Sequence, residues 1–453
     1  MSSVLTWGPA GAGHALASDR LHRLQHSPHA MWNYVTYRDA IGILGMDADT
    51  IYPEGATRLD PAVWADLGWL TCFAGPPESA VDAMRAAVRP EALNQYTPDL
   101  IGSLREEAAV FLGGERGDDL EVIGTAGAQE GVALSLMATV DPGDEVLVSD
   151  PGYFHVPSAV VTAGGTPVGV PISASTGFRL DPDEVAARIT PRTRALVMVD
   201  PMNPYGTVAT REEVEALAAL AERHGFLIIH DVTHGWLRID PHSELHVLPV
   251  KGLTQNAVAT FSVSHCWGMA GARVGFLAGP PELMRGCLQL KASLTRLNTN
   301  LVAQRAAQAA IADRDYLDRA AAVVRGNLAH LERTLAGVPG LELVVRPQRG
   351  LSCAVDVTGA GVSAQELMVA LFARRVAVYP GDGLGEGAAG SIIRINLSRP
   401  DTWAMDHLRD VLGDAVAEAA SGRWRDPVIA LLEGKGTARG RRLAASLREG
   451  APA

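Results

Sequence analysis

Five short segments of this chain collect polar and glycine residues of the types that can do chemistry: 124–129 (GTAGAQ), 150–153 (DPGY), 200–206 (DPMNPYG), 230–234 (HDVTH) and 261–276 (FSVSHCWGMAGARVGF). In the first, Gly127, Ala128 and Gln129 open a predicted helix. Backbone N–H groups and the positive end of the helix dipole favour a phosphate there. Ser262, Ser264 and Arg273 can complete such an anion cup, with the guanidinium adding a charge-assisted fork. Asp231 ends the apolar run FLIIHD, so its carboxylate sits in a dry place and needs a cationic partner. A protonated ring nitrogen would satisfy it. Tyr153, after a Pro-Gly turn, is placed to stack on a flat ring, and Asn203 can hydrogen-bond a ring substituent. Together these residues describe a pocket for a phosphorylated aromatic cation. Each also has a plainer reading. Ser262, Ser264 and Gln129 are common turn and cap residues, a buried aspartate often serves a structural ion pair, Tyr153 could be core, and Arg394 in IIRIN could lie on an exposed strand face.

The elements that must position these residues alternate along the chain. From about residue 99 to 296, helical and strand patterns succeed one another, which is the signature of an α/β domain with a mainly parallel sheet. Ligands of such sheets sit at the carboxyl ends of the strands. DLEVIGTAG, DEVLVSDPGY, TPVGVPI, TRALVMVDP, FLIIHD and AVATFSVSH read as strands. AQEGVALSLMATV and REEVEALAALAERHG read as helices, the latter closed by Gly225. Residues 300–335 read as one long Ala-rich helix connecting two domains, and the pattern beyond it is β-β-α-β-α. The expected organisation is an N-terminal arm over 1–60 with a short helix around 18–25, a segment 61–98 joining the smaller domain, and a large domain over 99–300. The connector helix and a smaller α+β domain follow over 301–425, and a helical tail over 426–453.

The chain has 453 residues, 47% of them hydrophobic and 20% charged, enough to bury a sizeable core. Its formal net charge of −12 argues against nucleic acid or an anionic membrane surface as partner. Positive charge is almost entirely arginine, because the only lysines are Lys251, Lys291 and Lys435. Four scattered cysteines without C-x-x-C spacing, and no apolar signal segment behind MSSVLTWGPAG, predict a cytoplasmic chain with reduced thiols. No apolar run is long enough to span a bilayer.

Taken in order, the segments resemble the class I/II aminotransferases of pyridoxal-phosphate (PLP) fold type I, over roughly residues 66–420. The resemblance rests on QYTPDLIGSLR (95–105), NPYGT (203–207), SVSHCWGMAGARVG (262–275) and VYPGDGLGEGAAGSIIRINLS (378–398). It implies an α/β large domain with a mainly parallel, seven-stranded type of sheet, a smaller α+β C-terminal domain, and a homodimer. It also implies PLP or pyridoxamine 5′-phosphate as cofactor and a small amino or keto acid as substrate. Ala128, Gln129, Ser262, Ser264 and Arg273 would then hold the phosphate, with Tyr96 reaching it from a neighbouring subunit. Tyr153 would stack on the pyridine, Asp231 would pair with its nitrogen, Asn203 would bond its phenolic oxygen, and Arg394 would clamp the substrate carboxylate.

Two positions depart from the family pattern. Eight residues before Arg273, where the family has the lysine that forms a Schiff base with the cofactor, this chain has His265. Three residues after Asp231, where the family has a tyrosine, it has His234. An imidazole forms no stable imine, so the cofactor is expected to be held noncovalently. A histidine with an unperturbed pKa of about 6.5 still suits proton transfer near neutrality, and a few fold type I sugar dehydratases also carry a histidine there. The expected activity is therefore an atypical transamination, elimination or replacement with His265 and His234 at the reacting centre. The alternative is a catalytically inactive PLP-fold protein acting as a binding module or subunit partner. Lys251 or Lys291 could in principle replace the missing amine. A metal site built from His230, His234 and His265 with Asp231 or His155 is disfavoured, because His230 and Asp231 are consecutive strand residues pointing to opposite faces.

Overall fold

The structure, a computed structural model, describes residues 62–448 apart from 95, 115–119, 249, 251–253, 298, 389, 435–440, 442–443 and 446–447. The expected arm, its short helix, Lys251, Lys435 and much of the tail beyond 434 lie outside the described residues. In chain order the strands are β1 (Ala65–Asp66), β2 (Glu121–Thr125), β3 (Glu145–Asp150), β4 (Thr166–Pro171), β5 (Thr193–Val199), β6 (Leu227–Asp231) and β7 (Ala257–Ser262). They continue with β8 (Gly275–Gly279), β9 (Glu342–Leu343), β10 (Ser352–Asp356), β11 (Val376–Ala377), β12 (Tyr379–Pro380) and β13 (Ile392–Asn396). The helices used below are α1 (Ala128–Thr139), α2 (Arg211–His224), α3 (Pro281–Thr295), α4 (Leu301–Ala312), α5 (Arg314–Ala336), α6 (Ala364–Phe372) and α7 (Trp403–Ser421).

The chain divides into two compact units. The larger takes Leu70–Val324 and Arg346–Leu351; the smaller takes the described residues of Met1–Trp69, Arg325–Val345 and Ser352–Ala453. The larger unit holds a seven-stranded sheet in the order β2-β8-β7-β6-β5-β3-β4. Neighbours from β7 to β4 are parallel, and β8 runs antiparallel to both β7 and β2. This is the mainly parallel α/β sheet expected from the alternation. Strands β5, β6 and β7 are buried along nearly their whole length, which is why they read as continuous apolar runs rather than alternating ones. The sequence reading did not resolve β8. Three of its five residues are Gly or Ala (GFLAG), and such residues carry little strand signal.

Helices close over these strands with locally encoded ends. Thr210 and Glu213 form a reciprocal capping box at the start of α2, and Gly225 (φ 71°) ends it. Its buried stripe of Val214, Leu217, Ala218 and Ala221 follows helical spacing. Val132 and Leu136 of α1 and Met284 and Cys287 of α3 join Ile229 and Val258 in the core, where each buried aliphatic side chain contributes about 1.5–3 kcal/mol. The single helix expected over 300–335 is in fact two. Asp313 leaves the helical region (φ −81°, ψ 82°) after α4, and its carboxylate accepts the Tyr316 N–H at 3.0 Å in the first turn of α5. A capping aspartate breaks a stretch whose alanine content reads as uninterrupted.

The smaller unit pairs a four-stranded antiparallel sheet, β12-β13-β10-β9, with a parallel bridge between β1 and β11. Helix α6 packs on β12 and β13 of this sheet and against α7, which packs on the β1–β11 pair. Compared with the β-β-α-β-α reading, the additions are two-residue strands too short to leave a pattern. All four cysteines are buried and carry no disulfide. No helix among the described residues is long and apolar enough to cross a membrane.

Candidate cofactor site

The carboxyl ends of β2, β7, β6, β5 and β3 share one edge of the larger unit's sheet, and the polar segments of the sequence follow from them. After β2 the chain turns through Gly127 (φ 86°, ψ 166°) into α1, with no side-chain cap at that residue. Only glycine adopts this backbone readily. Arg273 arches over the turn: Nη2 donates to the Ala126 carbonyl at 2.7 Å and Nη1 to the Ala270 carbonyl at 3.0 Å. Its own backbone is left-handed (φ 54°), a conformation that costs a non-glycine residue about 1–2 kcal/mol. A Cβ on Gly127 would lie 2.6 Å from Arg273 Nη2, and one on Gly275 would lie 2.5 Å from the Gly127 carbonyl carbon. Gly275 itself sits between Thr125 and Ser262 in the sheet. The Thr260 hydroxyl shares its one proton between the Ala128 carbonyl at 3.2 Å and the Phe276 carbonyl at 3.0 Å, fastening the start of α1 to the strands. Ser262 and Ser264 are buried beside this turn, the Ser264 N–H donating to Ser262 Oγ at 3.3 Å. Gln129 is exposed in the first turn of α1.

Asp231 ends β6 and is 8% exposed. Its Oδ1 accepts both the Thr233 N–H (3.0 Å) and the Thr233 hydroxyl (2.5 Å). Burial raises its pKa above the usual carboxylate value, against the opposing pull of the Thr233 donors and of His230. A buried carboxylate in that condition fits a cationic ring nitrogen. His230, its neighbour, faces the other way as expected. The Leu248 N–H donates to His230 Nδ1 at 3.2 Å, so the ring proton is on Nε2, 3.4 Å from Asp200 Oδ2. Asn203 is buried in the turn after β5. Tyr153, half-buried after β3, packs on the core with its ring centroid 5.2 Å from Phe154 and 5.1 Å from His155. Burial pushes the His155 imidazole down to about 4, so it is neutral at physiological pH. Among the described residues no group of three His, Cys, Asp or Glu could hold a metal ion.

His265 lies on the same segment as Ser262, Ser264 and Arg273. Its Nδ1 hydrogen-bonds the Leu70 carbonyl. A carbonyl only accepts, so Nδ1 carries the proton and the lone pair of the neutral ring is on Nε2. The His234 ring lies against it, centroids 4.5 Å apart and planes at 34°. The structure thus brings Arg273 and the Ser262-paired Gly275 onto the Gly127–Ala128 turn, ties Ser264 to Ser262, and sets His234 on His265. Tyr96 is 74% exposed, with the Arg296 guanidinium 4.7 Å from its ring centroid.

Arg394 belongs to the smaller unit, in the middle of its sheet between Ala354 and Tyr379. It is buried, which removes the reading as an exposed strand face. Its Nη2 donates to the Gly68 carbonyl at 3.2 Å, and its guanidinium lies 4.5 Å from the Tyr379 ring centroid. Lys291, weighed as a replacement amine, is buried on α3, where Nζ donates to Glu130 Oε2 at 2.8 Å. Sequence reasoning missed Thr233, Glu130 and Leu70. The D-x-T spacing at 231–233 is a legible signal for the first. A backbone carbonyl 195 positions from its histidine leaves none.

Comparison with known proteins follows the same lines. The model of the family "Aminotransferase class I and II" matches residues 70–412. The chain is 33% identical over 282 residues to an arginine–pyruvate transaminase of Pseudomonas aeruginosa, covering 62% of this chain and 71% of that one. It is 30% identical over 350 residues to the aspartate/prephenate aminotransferase of Thermus thermophilus, covering 75% and 88%. A solved structure of a Thermus thermophilus aspartate aminotransferase double mutant superposes with a TM-score of 0.75 at 25% identity, covering 88% of this chain and 99% of that one.

Proposed function

Since the chain belongs to the aminotransferase class I and II family, whose cofactor is pyridoxal or pyridoxamine 5′-phosphate, we propose that it processes an amino or α-keto acid with that cofactor held noncovalently and His265 moving the protons. The observation that carries this reading is the setting of His265. In the chain it lies between the buried Ser262 and Ser264 and Arg273, and its ring tautomer is set by the Leu70 carbonyl.

The residues present fit the group. The glycine-built turn at 127, the start of α1, Ser262, Ser264 and Arg273 suit a phosphate, with Ala128 and Gln129 offering backbone N–H groups and Tyr96 of a second subunit closing the cup. Asp231 suits a protonated pyridine nitrogen, Tyr153 its face and Asn203 its phenolic oxygen. When bound, the cofactor supplies an electron sink for charge developing at the substrate α-carbon. His265 then acts through Nε2, taking the α-proton and returning it, while its Nδ1–H stays on Leu70. His234 restricts the rotation of that ring by lying against it. Arg394 offers the planar fork that pairs two-for-two with a carboxylate, and we assign it the substrate α-carboxylate.

Titration of the purified protein with PLP, followed by candidate amino acids, tests the reading. Saturable binding and an absorbance change leading to product are expected, with no cofactor captured covalently when the PLP-bound protein is treated with borohydride. His265→Ala should bind PLP and lose product formation. His265→Lys should gain a borohydride-trappable bond to the cofactor. PLP trapped on a lysine of the wild type, or binding with no product from any amino acid, would overturn the catalytic reading, the latter in favour of a binding module.

A further inference from the structure

Glu130 poses a problem for an anion site. It lies in the first turn of α1, the helix whose start forms the cup, and its Oε2 accepts the Ala126 N–H at 2.5 Å. Arg273 holds the carbonyl of the same residue at 2.7 Å. The turn is therefore clamped through both polar groups of Ala126, one on a carboxylate and the other on a guanidinium. The clamp places a negative charge beside the phosphate position, where it would repel the ligand.

Lys291 removes that conflict. Its side chain is 0% exposed, and Nζ lies 2.8 Å from the same Glu130 oxygen. It rises from the buried face of α3, which also carries Met284 and Cys287. With Glu130 and Lys291 cancelling, Arg273 leaves the cup one net positive charge; without Lys291 the local sum is zero. We propose that Lys291 is a positioning and charge-compensating residue of the phosphate subsite. It lets Glu130 hold the Ala126 amide without turning away the anion. The inference rests on the cofactor reading above, because it presumes that a phosphate occupies this cup.

The test compares affinities for PLP and for unphosphorylated pyridoxal, together with the rise in melting temperature caused by inorganic phosphate, in four proteins. These are wild type, Lys291→Met, Glu130→Gln and the double variant. The Glu130→Gln change keeps a carbonyl acceptor for the Ala126 N–H while removing the charge. Lys291→Met should weaken PLP binding about tenfold relative to pyridoxal and abolish the phosphate-dependent stabilisation. Glu130→Gln should bind PLP at least as tightly as wild type. The double variant, whose neutral pair replaces a buried ion pair and should fold, should recover PLP affinity to within about threefold of wild type if compensation is the mechanism. An unchanged PLP-to-pyridoxal ratio in Lys291→Met overturns the inference, as does weakened PLP binding in Glu130→Gln or failure of the folded double variant to recover. A wild type that binds neither PLP nor phosphate overturns the cofactor reading as well.

Discussion

Gly275→Ala is the sharpest test of how the anion cup is built. The added methyl would stand 2.5 Å from the Gly127 carbonyl carbon, 2.7 Å from its Cα and 2.8 Å from the Ala128 nitrogen. All three are backbone atoms, so no side chain can swing aside. Ordinary contact begins near 3.4 Å, and 3.4 − 2.5 requires the Gly127 turn or β8 to move by about 0.9 Å. Overpacking of this kind costs about 1–3 kcal/mol. A displacement of that size also stretches hydrogen bonds formed by the first turn of α1 beyond useful length, so PLP should bind about tenfold or more weakly. Gly271→Ala is the matched control: it lies in the same segment and its Cβ would meet nothing within 4 Å. Urea denaturation of the cofactor-free proteins measures the first effect and PLP titration by tryptophan fluorescence the second. If Gly275→Ala and Gly271→Ala both match wild type in both assays, the cup is not built on this contact.

Two further outcomes follow from buried cations and imidazoles. His155 has its pKa pushed down to about 4 by burial, against about 6.5 in an unfolded chain. The unfolded state therefore binds the proton first, and stability present above pH 6.5 should be lost as pH falls toward 4; His155→Phe should flatten denaturation midpoints over that window, and an unchanged slope would refute the assignment. Arg349, buried and with its pKa lowered to about 10 mainly by desolvation, donates to the Gly235 carbonyl at 2.7 Å, to Ser243 Oγ at 3.0 Å and to the Ser243 carbonyl. Arg349→Ala should cost about 3 kcal/mol by stranding these acceptors, read by chemical denaturation, and a loss below about 1 kcal/mol would show that water replaces the guanidinium.

Much of the architecture was legible because its signals are local. The succession of strand and helix patterns announced the parallel sheet, Gly225 announced a helix end, and Asp231 at the end of FLIIHD announced a buried acid. The family resemblance likewise rests on short segments whose residues and order are visible in one dimension. What stayed hidden was either weak in composition, as for the Gly- and Ala-rich β8, or masked by it, as for the break at Asp313.

The amino-acid order alone therefore determined the kind of sheet, the strand ends that carry polar groups, and the presence of His265 and His234 on two of those polar segments. Only the tertiary structure decided what surrounds those groups. It sets the Leu70 carbonyl on His265 Nδ1, the His234 ring against His265, and Lys291 in a buried pair with Glu130 rather than in reserve as a spare amine. The physical reason is range. Helix caps and apolar periodicity act over a few residues and are written in their spacing. Tautomers, charge compensation and backbone contacts depend on atoms brought together from distant parts of the chain, and no spacing encodes them.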